Sequence, residues 1–97
     1  MDVTSHIGVL YVDILISGPQ SLKDKRSVLK RLKNDIRQQF NVSVGELDGQ
    51  DKWQRSVLAF SMIGSDSRYI DSALQNVLSF LHNYHAIEVS SSEIEFC

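Results

Sequence analysis

A chain of 97 residues with 42 % hydrophobic residues, 23 % charged residues and a formal net charge of −2 is expected to form one folded, soluble domain, which excludes a disordered chain. Its one cysteine, Cys97, excludes an internal disulfide and points to a reducing, cytoplasmic setting. The longest apolar run, Val9–Ile16, is broken by Asp13 and is far shorter than the roughly 20 residues of a membrane helix. No basic stretch precedes an apolar one at the start, so neither a signal peptide nor a membrane partner is expected.

From Ile7 to Ile16 the chain is β-branched and apolar on both alternating faces. Leu10, Val12, Ile14 and Ile16 line one face, and Val9, Tyr11, Asp13 and Leu15 the other. This predicts a central strand, with His6 in a flexible start before it. Ser17-Gly-Pro-Gln breaks the strand, and Ser21-Leu-Lys-Asp24 reads as a capping box. Leu22, Val28, Leu29, Leu32, Ile36 and Phe40 then repeat at helical spacing, which predicts an amphipathic helix of about 18 residues ending near Asn41. Asn41–Asp48 and Arg55–Ile63 read as the two strands of a hairpin. Ser65 or Asp66 is placed to cap a second helix, with Ile70, Ala73, Leu74, Val77, Leu78 and Leu81 on its apolar face, which fades at His82–His85. The last strand, from about Ala86 to Phe96, changes phase: Ile87 and Val89 have one parity, Ile94 and Phe96 the other. A β-bulge within Ser90–Ser92 is expected to restore the register.

The order βαββαβ predicts an α+β, ferredoxin-like fold: a four-stranded antiparallel sheet with two helices on one face, formed by residues 1–97 as a single domain. If the helices cover the even-numbered face of the first strand, Val9, Tyr11 and Leu15 make the other face apolar. A homodimer through that open sheet face is its simplest cover.

The modest net charge hides an asymmetry. Residues 21–40 carry a local +5, and the remainder carries −7. At 100° per residue, Lys23, Arg26, Lys30, Lys33 and Arg37 fall within an arc of roughly 80° beside the apolar face, one cation per turn of about 5.4 Å. Asp24 and Asp35 lie on the far side, and Lys25 and Arg31 lie off the stripe. A solvated helix face ordinarily mixes signs, whereas like charges at i,i+4 repel, so the stripe points to an anionic partner.

Other features carry less. Sheet-based base stacking is not expected, because Val57 and Ala59 occupy the third-strand positions where an RNA-recognition motif carries aromatic residues. His82 and His85 lack a third ligand, so no metal is expected. Neither a phosphate loop nor a nucleophile–base set is present, and no catalytic residue or cofactor is assigned. Trp53, in the hairpin loop, reads as a partner anchor or a lid on the end of the core, with the lid preferred. Tyr11, Trp53 and Arg55 are the candidate partner-binding residues.

The segments Ser21-Leu-Lys-Asp-Lys-Arg-Ser-Val-Leu-Lys, Phe40-Asn-Val-Ser-Val-Gly-Glu and Asp51-Lys-Trp-Gln-Arg resemble the YlxP-like family of small bacterial proteins of unknown function. The resemblance runs from about Ile7 to Phe96, with Lys52 standing where the family often has an apolar residue. It implies a ferredoxin-like fold. Family genes often lie beside those for translation-initiation and ribosome-maturation factors, which implies a role near RNA or the ribosome, with no catalytic residues to carry over. The expected function is therefore non-enzymatic RNA or ribosome association through the helix stripe. The alternatives are a protein adaptor working through the open sheet face or the Trp53 loop, and a small-molecule-binding or hydrolytic ferredoxin-like dimer.

Overall fold

Strict alternation along the first strand sets the architecture. In the computed structural model, which describes residues 1–50 and 52–97, β1 (His6–Ile16) buries Leu10, Val12, Ile14 and Ile16 on one face and leaves Ile7, Val9, Tyr11, Asp13 and Leu15 on the other. It is followed by α1 (Leu22–Gln39), β2 (Ser43–Asp48), β3 (Arg55–Gly64), α2 (Ser67–His82) and β4 (Ile87–Phe96). The strands form one sheet in the order β2-β3-β1-β4, with every neighbouring pair antiparallel. This is the ferredoxin-like α+β arrangement expected from the element order.

Both helices pack on the even-numbered face. Leu29, Leu32 and Ile36 of α1 and Ile70, Leu74, Val77 and Leu81 of α2 form one core with the even residues of β1 and with Leu58, Phe60 and Met62 of β3. The α2 helix rides close to the sheet at Gly8, where a Cβ would lie 2.6 Å from Ile70 Cγ2. Any larger residue there would push the helix away. No helix among the described residues is long and apolar enough to cross a membrane.

Each helix starts where the side chains predict. The Ser21 hydroxyl accepts from the Asp24 backbone N–H, while the Asp24 carboxylate reaches back to the backbone N–H of Gln20. Asp66 caps α2, accepting from the backbone N–H groups of Arg68 and Tyr69. In β4, Asp13 faces Ser91 and Ile14 faces Val89, so Ser90 is the extra residue of a bulge. That insertion brings Ile87, Val89 and Ile94 to the core side despite their mixed parity. A second bulge, not signalled by the sequence, sits at Leu47: Glu46 pairs with Leu58 and Asp48 with Val57. The bulge ends the alternation just before the hairpin loop. His6 is not a flexible lead-in; it is the first residue of β1 and pairs with Gly64, because the ladder runs the full length of β3.

Candidate functional site

The five predicted cations lie along one edge of α1. Lys23, Arg26, Lys30 and Arg37 are exposed and Lys33 is half-buried. Arg26, Lys30, Lys33 and Arg37 line a single hollow of about 250 Å³ together with Leu29, Asn34 and Glu46; Lys23 stands outside it, one turn nearer the helix start. Among the described residues, none of the five has a carboxylate within 4.0 Å. The two acids of the helix are engaged elsewhere. Asp24 caps the helix, and Asp35 accepts from the Tyr84 hydroxyl at 2.6 Å. Burial first, and then this hydrogen bond and the charge of Asp35, push Tyr84 up to about 12.

Beneath the stripe lies a buried polar cluster. Lys25 retains only 2 % of its exposure, and its Nζ lies 3.1 Å from Glu46 Oε2 while also donating to the carbonyl of Gly49. Glu46 Oε2 in turn accepts from Ser56 Oγ at 2.5 Å, and Ser56 is fully buried. The loop comes this close only because residue 49 is glycine. Its φ is +83°, and a Cβ would lie 2.8 Å from the Arg55 carbonyl. Sequence reasoning placed Lys25 merely off the stripe and did not single out Glu46 at all. The signal for Lys25 was present: at 100° per residue it falls inside the arc of Val28, Leu32, Ile36 and Leu29, the face that must be buried.

The three candidate partner-binding residues separate into two places. Trp53 and Arg55 line a hollow of about 460 Å³ with Leu15, Leu22, Lys52 and Gln54, beside the start of α1. Trp53 is 46 % exposed there, beside Leu15 and Leu22. Asp51, the first residue of the Asp51–Arg55 segment, lies outside the described residues. Arg55 makes a two-pronged contact with Asp13, Nε–Oδ1 3.1 Å and NH2–Oδ2 2.9 Å. This raises its already high pKa. Tyr11 instead lies mid-sheet, half-buried, beside a separate hollow with Asp13, Val57, Ser91 and Glu93. The open face around it carries Ile7, Val9 and Leu15 of β1 and Val57, Ala59 and Ile63 of β3, interrupted by the Asp13–Arg55 pair and Ser61, and has Glu93 and Glu95 opposite Tyr11 and Val9 on β4. His82 and His85 are both exposed, and among the described residues no three metal-ligating side chains come together.

Comparison with known proteins places this geometry among uncharacterised relatives. The family described as "Protein of unknown function (DUF503)" matches residues 7–94. The uncharacterized protein YlxP of Bacillus subtilis (strain 168) is 34 % identical over 90 residues, covering 93 % of this chain and 98 % of that protein. Among solved structures, the de novo designed protein Foldit4 is similar with a TM-score of 0.52 at 14 % identity, covering 97 % of this chain and 94 % of that one. SnoaB, a cofactor-independent oxygenase from Streptomyces nogalater, gives a TM-score of 0.47 at 16 % identity over 97 % of this chain and 92 % of its own. The likeness to the designed protein concerns the fold alone.

Proposed function

The chain belongs to the DUF503 family of unknown function, and from that premise we propose that it is a binding protein, not an enzyme, which holds the phosphate backbone of RNA along the exposed edge of α1. One observation carries this reading. Five cations stand one per turn without a carboxylate partner among the described residues, and four of them share one hollow. Such a surface has a large attraction for anions arranged in a row, because no acid among the described residues lies within 4.0 Å of these cations.

The test is titration of a fluorescent single-stranded oligouridylate at several salt concentrations. Neutralising four phosphates gives a log–log salt slope of about −3, from roughly −0.7 per contact. Lys30→Glu with Lys33→Glu should abolish most of the binding while leaving the thermal transition in place. Binding that ignores salt, or that survives the double change, defeats the phosphate reading.

The open sheet face supports a second element of the proposal, a homodimer. Leu15 and Ile63 are 44 % and 66 % exposed, with Val9, Tyr11 and Val57 half-buried around them. A twofold arrangement lays this largely apolar face, with the Asp13–Arg55 pair within it, against its own copy, so one surface serves both partners. Sedimentation showing a monomer at tens of micromolar would instead favour a protein partner at this face or at the Trp53 hollow.

A further inference from the structure

Glu46 occupies an unusual position for an acid. It belongs to β2, on the helix-covered face of the sheet, and it reaches the hollow lined by Arg26, Lys30, Lys33 and Arg37. A mobile glutamate in that setting would fold onto one of the four cations and cancel it. Glu46 does not, because Lys25 Nζ and Ser56 Oγ both hold its Oε2. The carboxylate is thereby tied back, more than 4.0 Å from every cation of the stripe.

The other oxygen, Oε1, has no hydrogen-bond partner among the described residues. No buried side-chain oxygen among them lacks a partner, so Oε1 is open to solvent. The side chain as a whole is 18 % exposed. The hollow is thus lined by a carboxylate tied through one oxygen, with its other oxygen unpaired among the described residues, beside Asn34 and cations that can only donate.

That combination discriminates between strands. A phosphodiester strand held by the cations has its sugars beside the bound phosphates, nearer than its bases. The only hydrogen-bond donor on the sugar within a chain is the ribose 2′-hydroxyl, which DNA lacks. A carboxylate oxygen can accept from it and gains nothing from a deoxyribose. We infer that Glu46, held by Lys25 and Ser56, accepts a hydrogen bond from a ribose 2′-hydroxyl of the strand whose phosphates the α1 cations hold, so that the surface selects RNA over DNA. The inference rests on the phosphate reading above and adds the choice of sugar to it.

The experiment compares three strands on the unaltered protein: oligouridylate, its 2′-deoxy counterpart and its 2′-O-methyl counterpart. The methyl ether keeps the oxygen but removes the O–H that would donate to Glu46. One hydrogen bond to a charged group is worth about tenfold in affinity, so the ribose strand should bind about tenfold more tightly than both of the others. In Glu46→Gln the amide oxygen is taken by Lys25 and Ser56 and the amide nitrogen can only donate, so the ribose strand should lose its advantage over the 2′-O-methyl strand. Equal affinities for the unaltered protein, with the steep salt dependence intact, overturn the role of Glu46 and leave the phosphate reading standing. A 2′-O-methyl strand that binds like the ribose strand also overturns it. Absence of salt-dependent binding to all three strands overturns the phosphate reading, and the sugar choice with it.

Discussion

Lys25 is the residue whose chemistry and location conflict most. An ammonium group with 2 % exposure is held by one carboxylate and one carbonyl, both delivered by the β2–β3 hairpin. Removing one member of a buried pair leaves the other uncompensated and costs about 3 kcal/mol. Lys25→Met should therefore lower the urea midpoint strongly, and adding Glu46→Gln should recover part of the loss, because the stranded charge is then removed too. Additive losses in that double-mutant cycle would show that the two side chains are not coupled. Tyr84 gives a residue-scale prediction with a pH axis. Its folded-state pKa is raised from 10.0 to about 12, so the folded protein favours the protonated phenol. The stability this supplies is complete below pH about 10 and is lost as pH rises toward about 12. Tyr84→Phe should cost about 1 kcal/mol at neutral pH through the lost bond to Asp35, and should show a shallower stability decline across that alkaline window. Chemical denaturation of both proteins at a series of pH values reads the difference.

At the scale of the element, α1 has two functions on adjoining faces. Its apolar arc is pinned by Leu29, Leu32 and Ile36, and its exposed edge carries the cations. Because the acids of the helix are engaged in a cap and in the bond to Tyr84, the edge keeps its charge. Single changes along it should act alike and without regard to base sequence. Arg26→Ala or Arg37→Ala should each flatten the log–log salt slope by about 0.7, the amount expected for one phosphate contact on a single strand. Arg68→Ala, on α2, lies outside the hollow and should leave the slope where it was. A slope indifferent to Arg26 and Arg37 would mean that the edge does not meet phosphates. Helix content by circular dichroism should be unchanged in all three variants, since each substitution puts a strong helix former at an exposed site.

The whole molecule is asymmetric: one sheet face carries both helices and the other carries none. The bare face exposes Ile7, Leu15 and Ile63 around a half-buried Tyr11. If a second copy covers it, Ile63→Glu places a charge where two apolar surfaces meet and should shift sedimentation from dimer to monomer without changing the α1 edge on the opposite side. Retention of the dimer in Ile63→Glu would move the interface elsewhere. Strand choice at Glu46 and self-association at the open face are therefore separable, because they lie on opposite faces of the sheet.

The elements and their order were legible in the sequence because they follow from local periodicity. Alternation placed β1, helical spacing placed both apolar helix faces, Ser21 marked the first helix start and Ser65 or Asp66 the second, with Asp66 the cap in the structure, and the parity change in β4 required the bulge that falls at Ser90. The cation stripe was legible for the same reason: five positions on one helix share an edge by geometry alone. What tertiary structure decided was everything that depends on two distant segments meeting. The sequence shows Lys25 on the buried arc of α1, but its partner Glu46 lies on β2, after a turn whose path local rules do not specify. The bulge at Leu47, the left-handed Gly49 and the donation from Ser56 together bring that acid under the stripe and hold it there. A helical edge is a property of spacing, but a carboxylate held open among cations is a property of packing.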